Sequence, residues 1–102
     1  MTVYKKLVRD KIPELIEKQG ETPNTRILER EEFLLHLEAK LDEEVREYHK
    51  DPSPEELADI LEVVFALAEA RGCATEELMK VYQKKHDDRG GFEKRIFLIS
   101  KE

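Results

Sequence analysis

Apolar side chains return at helical spacing along most of the chain. Between about Arg30 and Tyr48 they occur at three- and four-residue steps, which places them on one face of an α-helix. These residues are Leu34, Leu37, Leu41, Val45 and Tyr48. The same spacing from Pro54 to about Arg71 predicts a second long helix, which is apolar at Leu57, Ile60, Leu61, Val63, Val64, Phe65, Leu67 and Ala68.

Capping residues and helix breakers set the ends of this second long helix. Ser53 is followed by Pro54 and, three positions after the serine, by Glu56, which is the pattern of a capping box with proline at the first helical position. Gly72 is the predicted stop, because glycine readily adopts the left-handed conformation that ends many helices. The connection between the two long helices is only about five residues, so they should pack antiparallel.

Two further helices are predicted on either side of the long pair. A short helix should cover residues 11–19, with Asp10 as its N-cap and Gly20 as its stop. A fourth helix should begin at Thr75, whose hydroxyl can cap it, and end at Gly90. The apolar stripe of this fourth helix consists of Leu78, Val81 and Tyr82.

The last apolar segment has β-forming rather than helical character. Residues 95–99 (RIFLI) are predicted to form a strand that pairs with residues 25–28 or with the Val3–Tyr4 region. The chain as a whole, residues 1–102, is predicted to be one all-α domain, a small bundle of about four helices with short extended terminal segments. A chain of this size has a modest core, so we expect a homo-oligomer, a dimer or a tetramer, to complete it.

The amino-acid composition and net charge argue against some classes of binding partner. Charged residues make up 41% of the chain and apolar residues 39%, and they alternate at helical spacing, which argues against disorder. The net charge of −6 argues against a nucleic acid or an anionic membrane as the main partner and suits a protein that binds cations. Cys73, the single cysteine, allows no intrachain disulfide, and no signal peptide follows Met1, so a cytoplasmic location is expected.

Two pairs of acidic residues lie at the edges of the apolar helix faces. Glu44 and Glu47 are one turn apart on the first long helix, and Glu56 and Asp59 are one turn apart on the second. In an antiparallel pair, residues equidistant from the connection lie at similar heights. Glu47 should therefore face Glu56, and Glu44 should face Asp59. The four carboxylates are predicted to converge on one pocket.

Four half-buried carboxylates repel one another unless a cation lies among them or they take up protons. Mg²⁺, with Mn²⁺ as an alternative, is expected because hard divalent ions prefer oxygen ligands and no cysteine or suitably spaced histidine pair joins the cluster. A cation held by acids with open positions commonly binds phosphates. Simpler explanations stand beside this one: Glu56 can serve as the capping-box acid alone, and Glu44 and Glu47 can be ordinary solvated residues.

Several motifs resemble those of a known enzyme superfamily. The segments EVRE (44–47) and ELAD (56–59) resemble the E-x-x-E and E-x-x-D motifs of the all-α nucleoside triphosphate pyrophosphohydrolases. The opening YKKLVRDKIP (4–13) and the closing RGGF (89–92) resemble the phosphoribosyl-ATP pyrophosphohydrolase-like or MazG-like house-cleaning branch. Together these motifs span nearly the whole chain. One departure is the interval of eight residues between the two acidic motifs, which is shorter than in most members and predicts a trimmed turn.

The resemblance implies an oligomeric helical bundle that holds magnesium on the four acids and splits a nucleoside triphosphate into a monophosphate and pyrophosphate. It also implies phosphate contacts from a lysine and an arginine on the last helix, here Lys85 and Arg89. Alternatively, Lys85 and Arg89 do not bind phosphate and occur there because cations are favourable at a helix C-terminus. Arg9 and Lys11 lie in a signature segment of the branch and are expected to reach over the site if the N-terminus folds back.

Two functions of different classes follow. In the first, the chain is a magnesium-dependent hydrolase of a nucleoside triphosphate or a related phosphoanhydride, non-canonical nucleotides included, and Glu44 or Glu47 acts as the base toward water. In the second, it is a non-catalytic helical module that dimerises or binds a partner through the same apolar faces. A redox di-metal carboxylate bundle fits less well, because such sites need Glu-x-x-His pairs.

Overall fold

Four α-helices make up the regular secondary structure of residues 2–102, the part of the chain that the computed structural model describes. They are α1 (Ile12–Lys18), α2 (Arg30–Lys50), α3 (Pro54–Ala70) and α4 (Thr75–Arg89). The predicted all-α fold with about four helices is confirmed. No helix in this range is both long enough and apolar enough to span a membrane.

The centre of the molecule is the pair α2 and α3, which a three-residue connection from Asp51 to Ser53 holds side by side. Ser53 has an extended backbone, and its Oγ accepts a hydrogen bond from the Glu56 N–H at 3.4 Å. The predicted serine cap and proline start of this helix are therefore confirmed. Because the connection is so short, the two helices run antiparallel and make the most extensive helix–helix contact in the chain.

The core of the single chain is small. Leu37 of α2 and Val63 of α3 are the buried apolar residues of the described chain, at 3% and 7% exposure. Leu57 and Leu61 of α3, which the apolar pattern assigned to the buried stripe, are exposed because no element among residues 2–102 covers that side of the helix. The remaining stripe residues are half-buried: Leu34, Leu41, Val45, Tyr48, Ile60, Val64, Phe65, Leu67 and Ala68.

Two predicted N-caps are wrong. Lys11 rather than Asp10 is the N-cap of α1, because the Ile12 N–H bonds to the Arg9 carbonyl at 3.0 Å and so places Asp10 inside a turn. Thr75 is the first residue of α4 rather than its N-cap, which is Ala74. The hydroxyl of Thr75 instead donates to Glu69 Oε1 on α3 at 3.2 Å.

Helix α4 diverges from the central pair. It contacts α3, but among the described residues it makes no contact with α2. Leu78, near its start, is half-buried, whereas Val81 and Tyr82 of the predicted buried stripe are exposed. The molecule is consequently elongated, with extents of 61 × 31 × 23 Å.

The strand predicted at residues 95–99 does not form. Residues 90–102 continue from α4 without regular structure, and neither residues 25–28 nor the Val3–Tyr4 region pairs with them. Helix α4 carries this C-terminal segment away from α2, so no backbone edge within the described chain is placed to pair with it.

Candidate metal centre

Three of the four predicted acids lie together between α2 and α3. Glu44, Glu56 and Asp59 each place a carboxylate oxygen within 4.8 Å of those of the other two, and all three residues are half-buried. One turn of α3 separates Glu56 from Asp59, and the antiparallel packing of α2 brings Glu44 to the same height. We call these three residues the acid cluster.

Glu47 lies at the edge of the acid cluster rather than within it. Its side chain is 47% exposed, and one of its oxygens lies 4.0 Å from Lys50 Nζ. Its charge nevertheless reaches Glu56, because it is among the charges that raise the pKa of that residue. The structure thus brings three of the four predicted ligands together and leaves Glu47 about one helical turn nearer the end of α2.

The pKa of the Glu56 carboxyl group is raised above its ordinary value. Partial burial is the largest cause, and the negative charges of Asp59, Asp51, Glu44 and Glu47 follow in that order. Both effects disfavour the ionised carboxylate. No lysine or arginine in the described chain forms an ion pair with Glu56, whereas Glu44 and Asp59 each have one. Within the acid cluster, Glu56 is therefore the residue with most to gain from a bound cation.

Two cationic side chains contact the other members of the acid cluster. Lys40 Nζ lies 3.5 Å from Glu44 Oε1, and both side chains are largely withdrawn from solvent. Arg9 donates from Nη2 to Asp59 Oδ1 at 2.6 Å, which ties the N-terminal segment to α3. These cations offset part of the negative charge. Repulsion among the acids, on which the reasoning from sequence relied, therefore does not by itself require a metal ion.

A cavity of about 720 Å³ lies beside the acid cluster. Its walls come mainly from the N-terminal segment, α2 and α3, with one residue each from α1 and α4, and its volume is within the range of small-molecule binding sites. The charged part of its lining includes Arg9, Lys40, Glu44 and Asp59. The apolar part includes Phe33, Leu37, Val63, Phe65 and Ala66.

Of the four predicted substrate-binding cations, Arg9 alone lines this cavity. Lys11 is exposed at the N-cap of α1. Lys85 and Arg89 are exposed on the part of α4 that diverges from α2, and Arg89 lines a separate cavity of about 570 Å³ near the end of that helix. Within one chain, Lys85 and Arg89 do not reach the acid cluster.

The acid cluster has donors that fit a hard divalent cation. Three carboxylates supply oxygen, the ligand atom that Mg²⁺ and Mn²⁺ prefer, and neither histidine nor cysteine belongs to the group formed by the described residues. Ligands on opposite sides of an ion with bonds of about 2.1 Å lie about 4.2 Å apart. Oxygen atoms that already lie within 4.8 Å of one another reach that spacing by small side-chain rotations.

Lys40 is not among the site residues predicted from sequence, although the sequence pattern contains a signal for it. Lys40 stands between Leu37 and Leu41 on the apolar face of α2, one turn before Glu44. A lysine in an apolar stripe, four residues before an acid, indicates an ion pair that is partly withdrawn from water.

Comparisons with known proteins give one partial relative. No known family profile matches the sequence, and no solved structure is significantly similar to it. An uncharacterised protein of Mycolicibacterium smegmatis (strain ATCC 700084 / mc(2)155) is 58% identical over 41 residues. The match spans 40% of this chain and 42% of that protein, so it covers less than half of either.

Proposed function

We propose that the chain is a magnesium-dependent hydrolase that splits a nucleoside triphosphate, canonical or non-canonical, into a nucleoside monophosphate and pyrophosphate. The observation that carries the proposal is the acid cluster, with its oxygens within 4.8 Å of one another, beside a cavity that Arg9 and Lys40 also line. The resemblance of the acidic and terminal motifs to the nucleoside triphosphate pyrophosphohydrolases supports the reaction class.

In this proposal the acid cluster holds Mg²⁺, or Mn²⁺ in its place, and Glu47 joins it by a side-chain rotation. The bound ion would offset phosphate charge and make a water molecule more acidic. Glu47, whose side chain is 47% exposed, or Glu44 would accept a proton from that water. A free Cys73 thiol is consistent with the reducing cytoplasm, which we propose as the location of the protein.

Positively charged side chains would supply the second function of this site, which is the binding of phosphate. Arg9 and Lys40 line the same cavity as two of the three clustered acids and would bind phosphate oxygens, whose negative charge grows as the anhydride bond breaks. Lys85 and Arg89 would contribute only in an assembly, because they do not reach the acid cluster of their own chain.

Hydrolysis of a panel of nucleotides, with the products identified, tests the proposal. We expect pyrophosphate release with Mg²⁺ and none with a chelator. Glu56→Gln should reduce kcat/KM by more than the roughly 10–100-fold that is typical for residues that only orient a metal ligand. The matched control is Glu55→Gln, an exposed acid one position earlier on α3, which should retain activity. Absence of product from every nucleotide would rule the proposal out.

A non-catalytic helical module is the second candidate, and two observations favour it. Arg9 and Lys40 already pair with Asp59 and Glu44, and Leu57 and Leu61 leave an apolar face of α3 exposed. Under this alternative, Mg²⁺ leaves the melting temperature unchanged. Replacing Glu56 by glutamine then stabilises the fold equally with and without Mg²⁺, because only repulsion is removed.

A further inference from the structure

Residues 79–102, which we call the C-terminal quarter of the chain, are almost uncovered in the single chain. Every residue in this range is exposed. It contains eight of the sixteen large apolar side chains that the described chain exposes. Three of them, Met79, Val81 and Tyr82, lie on α4 at 45–55% exposure. A concentration of apolar surface of this kind marks an interaction site more often than a bare surface.

The segment after α4 is the most exposed part of this C-terminal quarter. Phe92 and the four consecutive residues Ile96 to Ile99 are 75–96% exposed. Among the described residues, positions 90–102 form no side-chain hydrogen bond or ion pair, and the Arg95 N–H to Phe92 carbonyl bond at 3.1 Å closes a local turn. No other part of residues 2–102 therefore holds this apolar segment in place.

The size of the exposed surface suits a partner as large as another protein. The chain has a radius of gyration of 18.0 Å, against about 13 Å for a compact domain of this length. Its accessible surface is 9588 Å², against about 6,000 Å² for a compact protein of 12.0 kDa. If a dimer covered one third of that excess surface on each of its two chains, it would bury about 2,400 Å² in total. This area is within the range of obligate homodimers.

The distribution of charge along the chain indicates which surface residues 79–102 would bind. Residues 79–102 contain seven Lys or Arg and four Asp or Glu, a net charge of +3 with histidine neutral. Residues 2–78, which we call the acidic body, contain eleven Lys or Arg and twenty Asp or Glu, a net charge of −9. The C-terminal quarter is thus basic and apolar, and the body is acidic and exposes its own apolar Leu57 and Leu61 on α3.

We infer that residues 79–102 of one chain dock on the acidic body of a second copy. Helix α4 directs this quarter away from α2 of its own chain, so another molecule has to supply the surface. In a two-fold symmetric dimer the exchange is reciprocal, and each body receives the C-terminal quarter of the other copy. The inference rests on burial, area and charge and does not depend on the proposed hydrolase activity.

The test is the mass of the full-length chain in solution, measured by light scattering across a range of protein concentrations. The wild type should have about twice the mass of 12.0 kDa, and its melting temperature should rise with protein concentration. The double substitution Phe97→Asp and Ile99→Asp should weaken association at least about tenfold, since two charges would enter the interface. The helical circular-dichroism signal separates this effect from unfolding.

The matched control is the double substitution Phe97→Leu and Ile99→Val, which keeps the same two positions apolar and adds no charge. It should remain dimeric. A wild type that is monomeric at every concentration, with an unchanging melting temperature, overturns the inference, as does an aspartate double variant with wild-type mass. Binding of monomeric protein to vesicles of anionic phospholipid would overturn it in favour of a membrane surface.

Discussion

The three clustered carboxylates differ in how their charges are balanced. Glu44 lies 3.5 Å from Lys40, and Asp59 accepts a hydrogen bond from Arg9 at 2.6 Å. Glu56 has no such ion pair in the described chain, and its pKa is raised by partial burial and by neighbouring acids. Glu56 therefore takes up a proton more readily than an ordinary glutamate does.

This difference predicts a pH dependence of stability. A carboxyl group whose pKa is higher in the folded than in the unfolded chain stabilises the fold fully below the unfolded value and loses that contribution as pH rises through the folded value. Without divalent ions, the wild type should therefore lose stability relative to Glu56→Gln as pH rises from 4.5, the ordinary pKa, towards neutrality. Thermal melts of both proteins across this range measure the effect. The Glu55→Gln variant should follow the wild type, and parallel curves for all three would contradict the prediction.

The sequence identified individual residues where a local pattern determines their role. The cap at Ser53 was predictable because serine, proline and glutamate stand at the spacing of a capping box. Asp10 and Thr75 are equally good capping residues by type, but the backbone turns one residue away from the place that their type favours. The contact of Arg9 with Asp59 joins residues 50 apart, and no local pattern specifies it.

Helices α2 and α3 form the core of the chain, and very few of their side chains are buried. Leu37→Ala should lower the free energy of unfolding by about 2–5 kcal/mol, because it removes buried contacts and leaves a cavity. Leu35→Ala is the matched control on the same helix, since Leu35 is 71% exposed and should change stability by no more than about 0.5 kcal/mol. Urea titrations of both variants measure the difference. Equal losses would show that α2 faces its neighbours differently.

The contact between α2 and α3 also predicts a response to metal. A ligand that binds only the folded state stabilises it by about 2.7 kcal/mol at one hundred times its dissociation constant. Mg²⁺ should therefore raise the melting temperature of the wild type and have a much smaller effect on Asp59→Asn. The control for ionic strength is the same concentration of charge added as a sodium salt. An equal shift in both proteins would exclude a magnesium site at Asp59.

Periodicity predicted the helices well and their surroundings poorly. The bounds of α2 and α3 fall within a few residues of the predicted ones, because the apolar repeat and the breakers Pro54 and Gly72 determine them locally. The same repeat shows which face of a helix is apolar but not what covers it. Leu57, Leu61 and the stripe of α4 were therefore assigned to a core that the single chain does not contain. Helix geometry correctly placed Glu44, Glu56 and Asp59 close together, but it gave no indication of Lys40, whose contact with Glu44 depends on burial.

Across the whole molecule, the separation of charge between the two parts predicts salt-dependent association. Exposed charges are screened over about 10 Å at 0.1 M salt and about 3 Å at 1 M. Raising the salt concentration should therefore weaken the dimer, although the apolar contribution remains. Sedimentation velocity at several sodium chloride concentrations measures this. A dissociation constant that does not change with salt would contradict the role of the −9 and +3 charges.

The shape of the whole molecule was the least predictable from sequence. The size of the chain and its resemblance to an oligomeric superfamily predicted a homo-oligomer, but the sequence gives no sign that α4 leaves α2. That divergence depends on the connection from Arg71 to Ala74, where Gly72 has a φ of +85°. The direction of a helix after such a turn depends on torsion angles that composition and periodicity do not specify.

Because Leu37 and Val63 are the buried apolar residues of the described chain, a single copy would leave many apolar side chains exposed in the cell. A newly made copy that has not met its partner would present the same apolar segments that chaperones and proteases recognise in damaged proteins. Assembly and survival would then be linked, so unpaired copies would be degraded faster than paired ones. The amount of the protein would depend steeply on its rate of synthesis, because pairing requires two copies to meet.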